Sequence, residues 1–349
     1  MHHHRPETTV SLNFMPAFYH KHLAVTYGEA YYFDPVFRAG VEKAEQRFLF
    51  EVLGRHGVGS AHPSPSPNLF IQPVELVMRT QGAEWRFPND GTVESWGTPW
   101  AGKTVAEVAA MDPEDAACHP VIDALLRQYR ELSRLYGDKA DLFGIKSGMM
   151  NIHSPYTTAH QLCGEDLFCM MAEEPENAAV ILWKVWGIYQ AIYGRLQREM
   201  GSRVIGVHIG DCSAALISDV LYRDVVLPVN RKVMTAFKEA SYHSCGPSTH
   251  LLKAFAGLPR LRSIELGPGT DLALGAALLP GVALCPLVVP TVVRGGTPDD
   301  VSRLVAGLLE AAATAPAVTL CAWSFDRDTP LENVNALYDT VERTTADTA

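Results

Sequence analysis

The chain has 349 residues, 47% of them hydrophobic and 19% charged, with a formal net charge of −10. That length and balance describe a globular protein with a large core, not a disordered chain. Lys and Arg are scattered, so neither a nucleic-acid footprint nor binding to an anionic membrane surface is expected, and small molecules or another protein remain as partners.

The N-terminus has no apolar signal core. Met1-His2-His3-His4 runs into polar Arg5-Pro6-Glu7, and the histidine run is kept out of any metal argument. A helix is expected near 35–55, then a loop through Ala61-His62-Pro63-Ser64-Pro65-Ser66-Pro67. Strands are predicted over 74–80, 84–87 and 93–96, the last two joined by a turn at Asn89-Asp90-Gly91. Residues 1–60 read as an N-terminal extension with helices. Residues 61–349 read as one domain, of which 61–119 is an irregular, hairpin-bearing elaboration.

From Pro120 the pattern becomes regular. A helix over 121–136 precedes an apolar run, 142–152. Helices follow over 157–172 and 175–201, the second with Pro175 and Glu176 in its first turn. Strands are predicted over 204–209, 241–245, 262–266, 282–289 and 318–322. Helices over 218–239, 248–255, 271–279, 297–312 and 330–345 alternate with them. Alternating β and α units imply parallel strands with helices outside, and this many units favour a (β/α)8 TIM-type barrel. Residues 272–293 carry no charge, but Gly275, Pro280, Gly281, Pro286 and Pro290 interrupt them. A helix end, a turn and a buried strand account for the stretch, and no membrane span is expected.

Seven cysteines, an odd number without framework spacing, point to a reduced, cytoplasmic protein. In Tyr242-His243-Ser244-Cys245-Gly246, His243 and Cys245 are two apart, so on an extended strand both emerge from one face. With Cys321 they form a soft set, one imidazole and two thiolates, that suits tetrahedral zinc with one position open. The other reading is two buried thiols and a hydrogen-bonded histidine. The barrel topology favours zinc, because His243, Cys245 and Cys321 fall at C-terminal strand ends, where barrel active sites sit. His153, His208, Asp211 and Glu265 fall at strand ends too. Asp211 and His208 are candidates to contact substrate or to support a ligand, and Asp211 or Glu265 would accept the second N–H of a metal-bound histidine. Cys163, Cys169, Cys212 and Cys285 have no paired histidine and are expected as buried thiols.

The chain resembles the uroporphyrinogen decarboxylase superfamily, and within it the zinc-dependent corrinoid methyltransferase branch (methylcobalamin:coenzyme M methyltransferases and relatives). The resemblance runs from about Phe48 to the C-terminus. It is carried by Gly210-Asp211-Cys212-Ser213, Leu221 to Pro228, Tyr242 to Gly246, Asp271-Leu272-Ala273, Gly296-Thr297-Pro298 and Thr329 to Val334. It implies a zinc ion on His243, Cys245 and Cys321. It also implies a thiol acceptor taking a methyl group from methylcobalamin, which would serve as a free substrate or on a corrinoid partner protein. Two departures bear on the substrate. Gln161 stands where the decarboxylase has a substrate tyrosine, and Cys321 sits in Leu320-Cys321-Ala322-Trp323 instead of a Gly-Cys-Gly surround. The alternative within the superfamily is a metal-free lyase or decarboxylase acting on a small carboxylated substrate.

Overall fold

A computed structural model describes residues 6–346, so the Met1-His2-His3-His4 run lies outside the described residues. Seven strands make one sheet: β1 (Glu7–Phe14), β2 (Met149–His153), β3 (Gly206–Gly210), β4 (Glu239–Ser244), β5 (Leu261–Leu266), β6 (Ala283–Pro286) and β7 (Ala317–Phe325). Their order is β1-β7-β6-β5-β4-β3-β2, and each registered pair is parallel. With helices between successive strands, this is the α/β fold of the TIM type that the alternation predicts. The sheet holds seven strands among the described residues, not eight. Asn68–Leu69 and Asp141–Leu142 form a separate two-stranded parallel sheet. Two compact units divide the chain: one comprises 1–66, 87–92 and 263–349, the other 67–86 and 93–262.

In the first unit, β1 lies within the part of the sequence expected to be an extension. Thr8, Val10, Leu12 and Phe14 alternate with Glu7, Thr9, Ser11 and Asn13, the period of a strand, and β1 pairs with β7 over most of its length. Phe14 stacks on Phe18 at 4.0 Å between ring centres and meets the edge of Phe325 at 5.8 Å. Helix Pro35–Leu53 starts at Asp34, whose carboxylate accepts from the Val36 and Phe37 amides at 2.9 and 3.0 Å. One turn in, buried Arg38 holds Glu42 at 3.2 Å and donates to the Ser66 carbonyl at 2.9 Å, which ties the Pro/Ser-rich loop to this helix. Near the other end of the unit, Thr297 and Asp300 form a reciprocal cap on helix Pro298–Ala311. Asn333 donates to the Val293 and Gly296 carbonyls, both at 2.8 Å.

The second unit is built on helix Pro175–Met200, whose Ile181, Val185, Ile188, Ile192 and Leu196 recur every three or four residues and are buried. Each such side chain stabilises by about 1.5–3 kcal/mol on burial. Residues 74–80, expected as a strand, form helix Pro73–Thr80. Pro73 presets the first turn, and Val74, Val77 and Met78 are buried at helical spacing. The helix expected over 157–172 breaks at Gly164, whose φ of 71° only glycine adopts without strain. The one expected over 218–239 is interrupted by a π-turn, Tyr222–Val226, ahead of helix Leu227–Thr235. Pro228 has no N–H to return to Asp224 four residues earlier, and the wider turn takes up the mismatch. Among the described residues, no helix is long and apolar enough to cross a membrane.

Glu45, on helix Pro35–Leu53, accepts from the Tyr27 hydroxyl. Burial, helped by the charge of Glu42, lifts its carboxyl from 4.5 to about 7 against the pull of that hydrogen bond. The folded state thus keeps a proton that the unfolded chain releases above pH 4.5. The contribution of this group is full below that pH and is lost as pH rises toward about 7. We expect stability by urea unfolding to fall across this window by on the order of 2–3 kcal/mol on account of Glu45, and Glu45→Gln to flatten that part of the profile.

Candidate metal centre

Three neighbouring strands of the second unit align their histidines. His153 on β2 is in register with Gly210 on β3, and Gly210 with His243 on β4. One step back, Asn151, His208 and Ser241 form the next row, in which His208 Nδ1 meets Ser241 Oγ at 2.9 Å. Alternation then fixes the faces: His208, Ser241 and His243 are half-buried, whereas Val207, Ile209, Tyr242 and Ser244 are buried on the opposite side. Burial, followed by the neighbouring His243 and His208, pushes the His153 imidazole down to about 4, so it is neutral at neutral pH. Its Nδ1 is buried without a hydrogen-bond partner.

Immediately beyond β3 the chain turns at Asp211, which has no exposed surface. Oδ1 accepts from Ser154 Oγ at 2.7 Å and Thr157 Oγ1 at 2.8 Å. Oδ2 accepts from Tyr242 Oη at 2.5 Å and Asn230 Nδ2 at 3.2 Å. Burial raises this carboxyl above its ordinary value, and the four donors oppose that rise. Tyr242 also bonds Tyr222 of the π-turn at 2.7 Å between hydroxyls. The Asp211 amide donates to the His243 carbonyl at 2.7 Å. Asp211 thereby fixes the β3 end against β4 and positions the residue that follows it, Cys212.

Cys212, His243 and Cys245 each offer a ligand atom, and these atoms lie within 4.8 Å of one another. Ligand atoms around tetrahedral zinc are about 3.5–3.8 Å apart, so small side-chain rotations would suffice to close on an ion. Two soft thiols and an imidazole are a donor set that suits zinc. The Cys245 sulfur lies 3.7 Å from the Cys212 carbonyl oxygen. Hydrogen bonding from Cys212 first, then from His243, pulls the Cys245 thiol down to about 4, so it is a thiolate at neutral pH.

Of the residues expected at the site, Asp211, His208, His243 and Cys245 come together in this unit. Cys321 and Glu265 belong to the first unit, beside Cys285. Glu265 and Cys285 are in register on β5 and β6, and hydrogen bonding to Cys285, burial and the Glu265 charge all raise the Cys321 thiol. Cys163 and Cys285 are buried as expected, but Cys169 is exposed and Cys212 is half-exposed. Sequence reasoning missed Cys212 because its link to His243 is made by the Asp211 turn and not by chain spacing. Its position directly after Asp211 was the available signal.

The family description "Uroporphyrinogen decarboxylase (URO-D)" matches residues 81–344. Among solved structures, the chain is similar to a methyltransferase from Methanosarcina mazei, with a TM-score of 0.66 and 17% identity over 98% of this chain and 94% of that one. A B12-independent methionine synthase from Shewanella sp. W3-18-1 gives a TM-score of 0.49 at 10% identity, over 98% of this chain and 99% of that one. At these identities the likeness concerns the fold. No curated protein matches the chain.

Two outcomes are expected. Asp211→Asn replaces acceptor capacity with an N–H₂ that cannot receive from the hydroxyls, and urea unfolding should show a loss of about 2–4 kcal/mol. In metal-free protein, alkylation of Cys245 by iodoacetamide, followed by peptide mapping, should stay near its plateau between about pH 6 and 8. In Cys212→Ala the same rate should fall as pH is lowered through that range.

Proposed function

The chain belongs to the uroporphyrinogen decarboxylase family, and within it we propose a zinc-dependent methyltransferase whose acceptor is a thiol. The observation that carries this reading is the donor set in the second unit: a thiol and an imidazole two residues apart, with a further thiol beside them. A structural neighbour that is a methyltransferase accords with it. His243 and Cys245 would hold the ion, and Cys321 joins them by family resemblance alone. When bound there, zinc would lower the pKa of an acceptor thiol, so that a sulfur nucleophile is available at neutral pH.

The chain's own residues supply the rest. Thiolate donors keep the charge at the centre low, which preserves the nucleophilicity of an acceptor sulfur. Asp211 is a positioning residue: its four hydrogen bonds set the strand ends from which His243 and Cys245 project. His208 lies on the half-buried face of His243, suited to contact the acceptor, and Glu265 is proposed in the same role. His153 is neutral and keeps a hydrogen-bonding valence at Nδ1 for substrate. The methyl donor we propose is a corrinoid. The chain has no Asp-x-His-x-x-Gly segment of the kind that binds that cofactor, so the donor would be free methylcobalamin or a corrinoid protein. A reducing, cytoplasmic setting would keep the seven cysteines out of disulfides, as they are here.

Elemental analysis should find about one zinc per chain after anaerobic loading. Methyl transfer from methylcobalamin to a small thiol, which gives the methyl thioether and cob(I)alamin, should be seen as loss of the methylcobalamin absorption in the visible spectrum. His243→Ala should abolish both zinc and transfer. Zinc bound equally well by that variant would overturn the reading.

A further inference from the structure

We infer that Cys212 is the third ligand of the same metal, in the place the resemblance gives to Cys321, so that residues 212–245 alone supply two sulfurs and one nitrogen and the fourth position stays open for an acceptor. This rests on the proposal that His243 and Cys245 hold the ion. Proximity is the first argument: the Cys212 and Cys245 sulfurs and a His243 ring nitrogen all lie within 4.8 Å of one another. A tetrahedral zinc needs such a triangle, with edges of about 3.5–3.8 Å.

Two independent features hold Cys212 there. One is the Asp211 turn, clamped by four side-chain donors and by its own amide N–H, which donates to the His243 carbonyl at 2.7 Å. The other is Gly246. A Cβ at Gly246 would stand 2.4 Å from the Ala215 Cβ, so a side chain there would force the segment after Cys212 away from Cys245. The two turns approach each other only because position 246 is bare. Close approach of two turns, each carrying a thiol at its tip, is what a metal joining them requires. Cys212 is also half-exposed, unlike the buried thiols Cys163, Cys285 and Cys321. With Cys212 ligating, loss of Cys321 would leave three protein donors in place, and the ion would stay bound.

The test is metal binding itself, read without activity. Zinc affinity is measured by competition with a colorimetric chelator, and the thiolates are read from sulfur-to-metal charge-transfer absorption after cobalt(II) substitution. Cys212→Ser should weaken zinc binding more than about tenfold and reduce the charge-transfer intensity, with far-UV circular dichroism unchanged. Should that variant fold poorly, Cys321→Ser decides instead: it should keep cobalt bound with the absorption of two thiolates. Unchanged affinity and spectrum in Cys212→Ser, or only one thiolate left in Cys321→Ser, would overturn the inference while the proposed function stands. Zinc that survives His243→Ala would instead remove the reading on which both rest.

Discussion

A carboxylate removed from water must be met by donors on every side, and Asp211 is met by four, from Ser154, Thr157, Asn230 and Tyr242. Leaving such a group unpaired in the interior costs several kcal/mol, so the four partners cannot drift independently. They come from the start of helix Pro155–Cys163, from helix Leu227–Thr235 and from β4. Tyr222 joins through Tyr242 and brings in the π-turn. The candidate site is therefore an outgrowth of this buried carboxyl group. Tyr242 precedes His243, and Cys212 follows Asp211, so fixing the first member of each pair aims the second.

Glycine supplies what the carboxylate cannot. Gly246 admits the Ala215 turn, and Gly210 leaves the space between His153 and His243 free of a side chain. The remaining segments that carry the family resemblance do other work, in the first unit. Asp271 caps helix Leu272–Leu278, and Thr297 caps helix Pro298–Ala311. Asn333 ties the Val293 and Gly296 carbonyls. The segments that carry the resemblance thus divide into two kinds in this chain, those that cap and tie helices and those that surround the candidate site.

Much of this was legible in the residues. The alternation of apolar runs and amphipathic stretches fixes the fold class, because parallel strands need helical crossovers. The two-residue spacing of His243 and Cys245 announces a shared face. Less legible was helix Pro73–Thr80, whose short apolar run fits either period until packing chooses. β1 was hidden by its polar alternate positions, although its period of two was present. Cys212, marked only by its place directly after Asp211, was harder to read for a different reason. Its neighbours are set by a turn that exists only once a buried carboxyl group has gathered its donors, and no spacing rule encodes that.

The family and the fold are settled by the match over 81–344 and by the parallel sheet, whereas the chemistry depends on whether the thiols and imidazole of this site bind an ion. X-ray absorption at the zinc edge of the loaded protein addresses this most directly. The account predicts sulfur scatterers at about 2.3 Å and nitrogen at about 2.0 Å around one zinc. A shell of oxygens alone would contradict it.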